Sequence, residues 1–394
     1  MRSEDTRGYG AEPPVDLSRS AGPAAERAND SQGEKPPGAA EQPLEAPSPS
    51  ATSAPPQWGW RGRLRRFSGG LITPKPGKAE ERYRLAEAAA RQHLGGSRVL
   101  MVASPKGGAG TTTATLLLAH TLAVVRRGSV VAWDNTDARG NLGDRAEVRT
   151  PATSVSHLLA AAEHLVTSAT TAGDMTYYLR SQPSGAEVLA ADTDPTSPHP
   201  VGPAECGRIA ALLERHVRLT VIDSGNDVHS ARWRWAAAAA DCLVVPITLD
   251  IDVAQAASWM LDTLLASGRS SLVAGAVVLV RPGMTTPPDA TRLRILEHFH
   301  ARCGVVLEVP HDPQLAAGVP LVFTRLGPAT RRAWVMVAAA VADQLAAVRR
   351  ERPDQRGDVT RAHPPARGAP RPASQDSHGL GASVTALPFR RAQA

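Results

Sequence analysis

The sequence predicts an α/β fold in which a mostly parallel, twisted sheet is covered by helices on both faces and flanked by two disordered arms. Three observations lead there. From Arg98 onward, short runs rich in Val, Ile and Leu alternate with Ala/Leu-rich stretches of helical length, the pattern of strands buried on both faces by crossover helices. A glycine-rich segment, Ser104 to Thr113, lies between the first strand and the first helix of that region. Three polar segments, SPKGGAGT, DNTDARGN and DSGND, directly follow strands, at the carboxyl ends where such sheets hold ligands.

In chain order, residues 1–57 carry almost no large apolar side chains among their prolines and alanines, so burial cannot offset chain entropy and a disordered arm is expected. Residues 58–97 read as a basic aromatic linker with a short helix. Its WGWRGRLRRF stretch interleaves Trp58, Trp60 and Phe67 with Arg61, Arg63, Arg65 and Arg66. Such a mixture can stack bases and pair phosphates, lie on an anionic membrane surface, or dock on a partner protein or on the chain's own domain. Residues 98–350 form the folded domain, with strands in RVLMVA, SVVAW, AEVLA, RLTVID, CLVVPI, AGAVVLV and GVVLEV. Residues 351–394 are an Arg/Pro-rich tail that reads like the first arm.

The net charge of +6 belongs to the flanks. Basic and acidic side chains number 5 and 9 in residues 1–57, 7 and 2 in 58–82, and 9 and 4 in 349–394, which leaves 23 of each in between. The domain is therefore neutral, the basic flanks can steer a partner, and non-specific DNA stays open as one. Cys206, Cys242 and Cys303 lie far apart without CxxC spacing, so buried free thiols are expected rather than a disulfide framework or a zinc site. The first residues contain no apolar signal region, and runs such as AAAAADCLVVPITL are interrupted by Asp241 and Pro246, short of a membrane span. The expectation is a cytoplasmic protein without a transmembrane segment, brought to a membrane only by a partner.

The strongest local signal is the loop itself. Gly107, Gly108 and Gly110 allow a tight turn that points backbone N–H groups at an anion, and the following helix adds the partial positive charge of its N-terminus. Thr112 supplies a hydroxyl where a nucleotide's Mg²⁺ is held. Asp223 ends the apolar strand LTVI; it either caps a turn or serves the metal through water. Trp233 and Trp235, in SARWRWAAAAA, are expected on a helix near that strand end.

At these residues the chain resembles the MinD/ParA family of deviant Walker A P-loop ATPases, whose loop reads KGGxGK[ST]. Lys106, Gly107, Gly108, Ala109, Gly110, Thr111, Thr112 and Thr113 follow it with one exception, Thr111 at the place of the P-loop lysine. The resemblance continues through VVAWDNTDARGNLG as switch I, LTVIDSGND as Walker B, and VPHDPQLAAGVPL as the C-terminal segment containing Pro310 and Asp312. The Pro-rich arm ahead of a WGWRGRLRRFSGG-like stretch is most similar to actinobacterial MinD-like proteins linked to type VII secretion.

The resemblance implies ATP and Mg²⁺ as cofactors, with the loop, Arg281, Pro310 and Asp312 binding nucleotide, and Thr112, Asp134 and Asp223 at the metal. Lys106 would reach across an ATP-dependent homodimer. Asp134 matches the first switch acid, Thr136 stands where the second is expected, and Asp137 is its candidate substitute. Arg281 stands where the family often reads adenine with Asn. A charge-assisted contact is worth roughly tenfold or more in affinity, so Thr111 implies weak ATP binding or slow turnover. The function expected is an ATP-dependent dimerisation switch serving secretion or cargo positioning, with a protein partner bound by the basic aromatic segment or the arms. A DNA-binding partition ATPase and a pseudo-ATPase scaffold are the alternatives.

Overall fold

The computed structural model describes residues 54–137, 139–166, 171–194, 201–283, 286–315 and 319–351. The arms expected at 1–57 and 351–394 fall outside them, apart from residues 54–57 and Glu351.

Eight strands form one sheet: β1 (Arg98–Val102), β2 (Val130–Asp134), β3 (Arg180–Ser181), β4 (Ala186–Leu189), β5 (Leu219–Asp223), β6 (Cys242–Thr248), β7 (Val277–Arg281) and β8 (Val305–Glu308). Their order is β3-β4-β2-β5-β1-β6-β7-β8, and only the β3–β4 pairing is antiparallel. The apolar runs are continuous because both faces are covered: β2, β5 and β6 are buried at every residue. Leu100 and Val102 enter one core with Leu117, Trp334 and Val337. Met101 and Ala103 enter the other with Trp133, Ile222 and Met260.

The phosphate-loop helix, Thr111–Arg126, is buried along most of its length beside β1 and β2. At its centre His120 is fully buried, its Nδ1 2.6 Å from Ser184 Oγ and its ring stacked on Phe323. Burial pushes His120 down to about 4. Its folded value lies below the unfolded one, so its contribution to stability is complete above pH 6.5 and is lost as pH falls from there toward 4. The expected loss is about 1.4 kcal/mol per pH unit in that window. Urea melts at pH 5 and pH 7.5 check this: His120→Gln should narrow the gap between the two pH values by about 2 kcal/mol, and an unchanged gap would contradict it.

Residues 58–97 contain two helices, Gly59–Phe67 and Lys78–Ala90. The second packs against the last helix, Pro328–Glu351, and places Ala86, Ala90 and Leu94 in the core shared with Leu100 and Val102. Its end is tied to the end of the phosphate-loop helix. Arg126 Nη1 donates to the carbonyls of Ala90 and Gln92 at 2.6 and 3.0 Å, and Arg91 Nε donates to that of Val125 at 2.9 Å. The first helix leans on this layer through Trp58, whose ring lies 5.0 Å from Tyr83 and under the Arg332 guanidinium. Trp60 and Phe67 stay exposed. The three thiols are buried and unpaired, and among the described residues no helix is long and apolar enough to cross a membrane.

Candidate functional site

The site is built where β1, β2, β5 and β7 end. After β1 the chain turns through Ser104–Gly110, with Gly108 and Gly110 at φ +83° and +94°, a left-handed conformation that side chains with a β-carbon resist. Helix Thr111–Arg126 starts immediately after, so its free N–H groups and dipole face the cleft. That cleft, about 600 Å³, collects Lys106, Gly107, Gly108, Gly110, Thr111, Thr112 and Thr113 from the loop, together with Asp137, Asp223 and Arg281.

The parallel register sets Asp134 opposite Asp223 on β2 and β5, both fully buried. Thr112 hydrogen-bonds Asp223 through its side chain, and burial followed by the neighbouring Asp134 charge pushes Asp223 up to about 7. Asp223 Oδ2 has no hydrogen-bond partner. A buried orphan carboxylate oxygen, a threonine hydroxyl and a second carboxylate close by form a donor set suited to a hard divalent cation.

Asp134 is held by hydrogen bonds from the chain that follows it. Its Oδ1 accepts from Thr136 N and Oγ1 at 3.3 and 2.7 Å, and its Oδ2 accepts from Leu142 N at 3.1 Å. Gly140 approaches so closely that a β-carbon there would stand 2.1 Å from Asp134 Oδ2. The carboxylate therefore ties Thr136 to Leu142 in the chain after β2, and burial raises it while those hydrogen bonds pull it down. Asp137, half-exposed and 3.9 Å from Arg232 Nε, is the acid of that loop that lines the cleft.

Lys106 sits at the cleft mouth, where its Nζ lies 2.8 Å from Asp252 Oδ2 on the first turn of helix Ile251–Ala266, both side chains half in solvent. Ala109 is buried, and its carbonyl accepts from Arg281 Nη1 at 2.9 Å. Pro310 lies in an adjoining cleft of about 460 Å³ that shares Arg281 with the first. Asp312 lines neither of these clefts. It is buried and accepts the N–H groups of Gln314 and Gly327 at 3.0 and 2.9 Å, so its carboxylate braces the turn before the last helix. Trp233 is buried on helix Ala231–Ala239 directly after β5, and Trp235 meets Trp133 edge-on.

Sequence reasoning missed Arg139, Asn141, Arg145 and Asp227, which also line the cleft. Arg145 is the most notable, since it is 8% exposed with its Nε unpartnered. In NLGDRAE nothing separates it from a surface arginine.

No family model matches the chain. Over 297 residues it is 30% identical to the ESX-1 secretion-associated protein EspI of Mycobacterium tuberculosis; the match covers 73% of this chain and 42% of that protein. The chain thus spans less than half the length of this relative. Among solved structures it is similar to a ParA family ATPase from Chlorobium tepidum TLS, at 14% identity over 62% of this chain and 98% of the other, with a TM-score of 0.51. The septum site-determining protein MinD of Pyrococcus horikoshii OT3, solved with Mg-ADP, is 17% identical over 62% and 94%, with a TM-score of 0.46. The fold is the MinD/ParA-type P-loop fold.

Proposed function

We propose that this chain is an ATP-binding dimerisation switch of the MinD/ParA type that serves a secretion apparatus. The observation that carries the reading is the convergence, in one cleft, of a positive-φ glycine loop, a helix N-terminus and a Thr112–Asp223 pair with an orphan buried oxygen. Backbone N–H groups of residues 107–112 would hold the phosphates, and Thr112 with Asp223 would hold Mg²⁺, with Asp134 close behind. Bound Mg-ATP supplies a γ-phosphoryl group that water can accept. Of this chain's residues, Asp137 lines the cleft and would orient that water. The similarity to an ESX-1 secretion-associated protein favours secretion over other cargo. Exposed Trp60, Phe67, Arg63 and Arg66 offer a protein partner a surface beside the domain. Thr111 favours a second reading, a scaffold that binds nucleotide without appreciable turnover.

Calorimetric titration with Mg-ATP and Mg-ADP, joined to phosphate release and sedimentation, tests the proposal. The chain should bind both nucleotides, release phosphate slowly and dimerise with ATP. Lys106→Ala should abolish the dimer while changing monomer affinity only a few-fold. Asp252→Asn, which frees Lys106 from an exposed ion pair worth about 1 kcal/mol or less, should shift dimerisation to concentrations roughly two- to fivefold lower. Binding without phosphate release would select the scaffold, and absence of any nucleotide binding would remove both readings.

A further inference from the structure

We propose that Arg281 and Arg145 supply, from two distant elements, the positive charge that Thr111 does not, so that the cleft grips a nucleotide's polyphosphate between two guanidinium groups. The inference rests on the nucleotide-binding reading above. It assigns to Arg281 a phosphate role in place of base reading, and to Arg145 a role that no motif marks.

Arg281 ends β7, and its head does not point away along the strand. Its Nη1 donates to the Ala109 carbonyl, and the guanidinium lies so close against the loop that a β-carbon on Gly110 would be 1.7 Å from Nη1. Gly110 is required there for its positive φ, and having no side chain it also leaves room for the arginine head. Arg145 arrives from the opposite side, on the short helix Leu142–Arg145 of the switch segment. It is 8% exposed, its Nη2 is 3.5 Å from Thr113 Oγ1, and its Nε has no partner. The loop's own hydroxyl run therefore lies between two guanidinium groups, one at Gly110 and one at Thr113.

The electrostatics of this pair ask for an anion. Among the described residues neither arginine has a carboxylate within ion-pair distance. Burial lowers both, and Arg145 lowers Arg281 further by like-charge repulsion. Two partly desolvated cations held near one another without a protein counter-charge are unfavourable. A polyphosphate relieves that cost and satisfies the fork geometry of guanidinium donors, which suits phosphate oxygens in pairs. Lysine at position 111 would place a third cation in the same volume. On this view threonine at that position and the two arginines are one arrangement, with the charge moved from the loop to the cleft walls.

The test titrates the full chain with Mg-ATP, Mg-GTP and tripolyphosphate. Arg281→Gln and Arg145→Gln should each weaken all three by about tenfold or more, the range of one charge-assisted contact. Adding Thr111→Lys to Arg281→Gln should restore most of the loss, whereas Thr111→Lys alone should gain little. Melting curves of the ligand-free variants show whether the fold is kept. If Arg145→Gln unfolds, Arg281→Gln and its rescue decide, since Arg281 is not part of either core. An Arg281→Gln chain that binds tripolyphosphate like wild type, with or without an altered ATP-to-GTP preference, overturns the inference and leaves the proposed function standing. A wild-type chain that binds none of the three overturns both.

Discussion

Replacing Asp223 by asparagine is expected to raise the melting temperature of the ligand-free chain and, in the same variant, to abolish Mg²⁺-dependent nucleotide binding. The parallel register forces Asp223 beside Asp134 in the buried centre of the sheet, and Asp223 is pushed up to about 7 by burial and by that neighbour. A carboxyl raised in the folded state binds its proton there at pH values where the unfolded chain has released it. Stability therefore falls as pH rises from about 4 through about 7, and stays reduced above. Three pH units correspond to about 4 kcal/mol as an upper limit, so asparagine should gain on the order of 5 °C at pH 8 and much less at pH 5. The same substitution removes the anionic oxygen of the cation site, and Mg-ATP affinity should drop by about a hundredfold, the scale of a buried charged contact. Melts at both pH values with and without Mg²⁺, combined with calorimetry, check the two effects together. An asparagine variant no more stable than wild type at pH 8 would show that the two carboxylates do not strain the fold.

A chain that begins at Arg98 is expected to melt on the order of 10 °C below one that begins at residue 54. The helix Lys78–Ala90 is the outer layer of one core, with Ala86, Ala90 and Leu94 buried and the last helix exposed along a face once it is gone. Arg126 would lose both carbonyl acceptors, those of Ala90 and Gln92. Loss of several apolar side chains and of two charge-assisted hydrogen bonds amounts to several kcal/mol. A chain starting at Gly77 should recover part of the difference, because it keeps Ala86, Ala90 and Leu94 but loses the Trp58 contact and the Gln57 and Trp58 N–H groups that donate to buried Glu80. Equal melting temperatures for all three starts, followed by circular dichroism, would mean that this layer adds no stability.

Much of the fold was legible because its signals are local. The strands announced themselves as β-branched runs, the loop as glycines required at positive φ, and Asp223 as a carboxylate ending an apolar strand next to that loop. The sheet with helices on both faces and the phosphate loop at the strand end follow from such short-range patterns, and the MinD/ParA-type fold from the resemblance of the motifs they carry. Helix Lys78–Ala90 was less legible, since its charged KAEERYRLAEAAA sequence buries mostly alanines and offers no strong apolar stripe.

By itself, then, the sequence determined seven of the eight strands, missing the short antiparallel β3, together with the glycine cradle and the acid that faces it, since each depends on residues a few positions apart. The tertiary structure alone decided that Asp134 ties Thr136 to Leu142, that Asp312 braces a turn, and that Arg281 meets the loop at Ala109 across 172 residues of chain. The physical reason is that the free energy of a charged side chain depends on its neighbours in space. Whether an arginine is solvated at the surface or pressed against a phosphate loop is set by which strand ends the sheet brings side by side, and spacing along the chain carries no record of that.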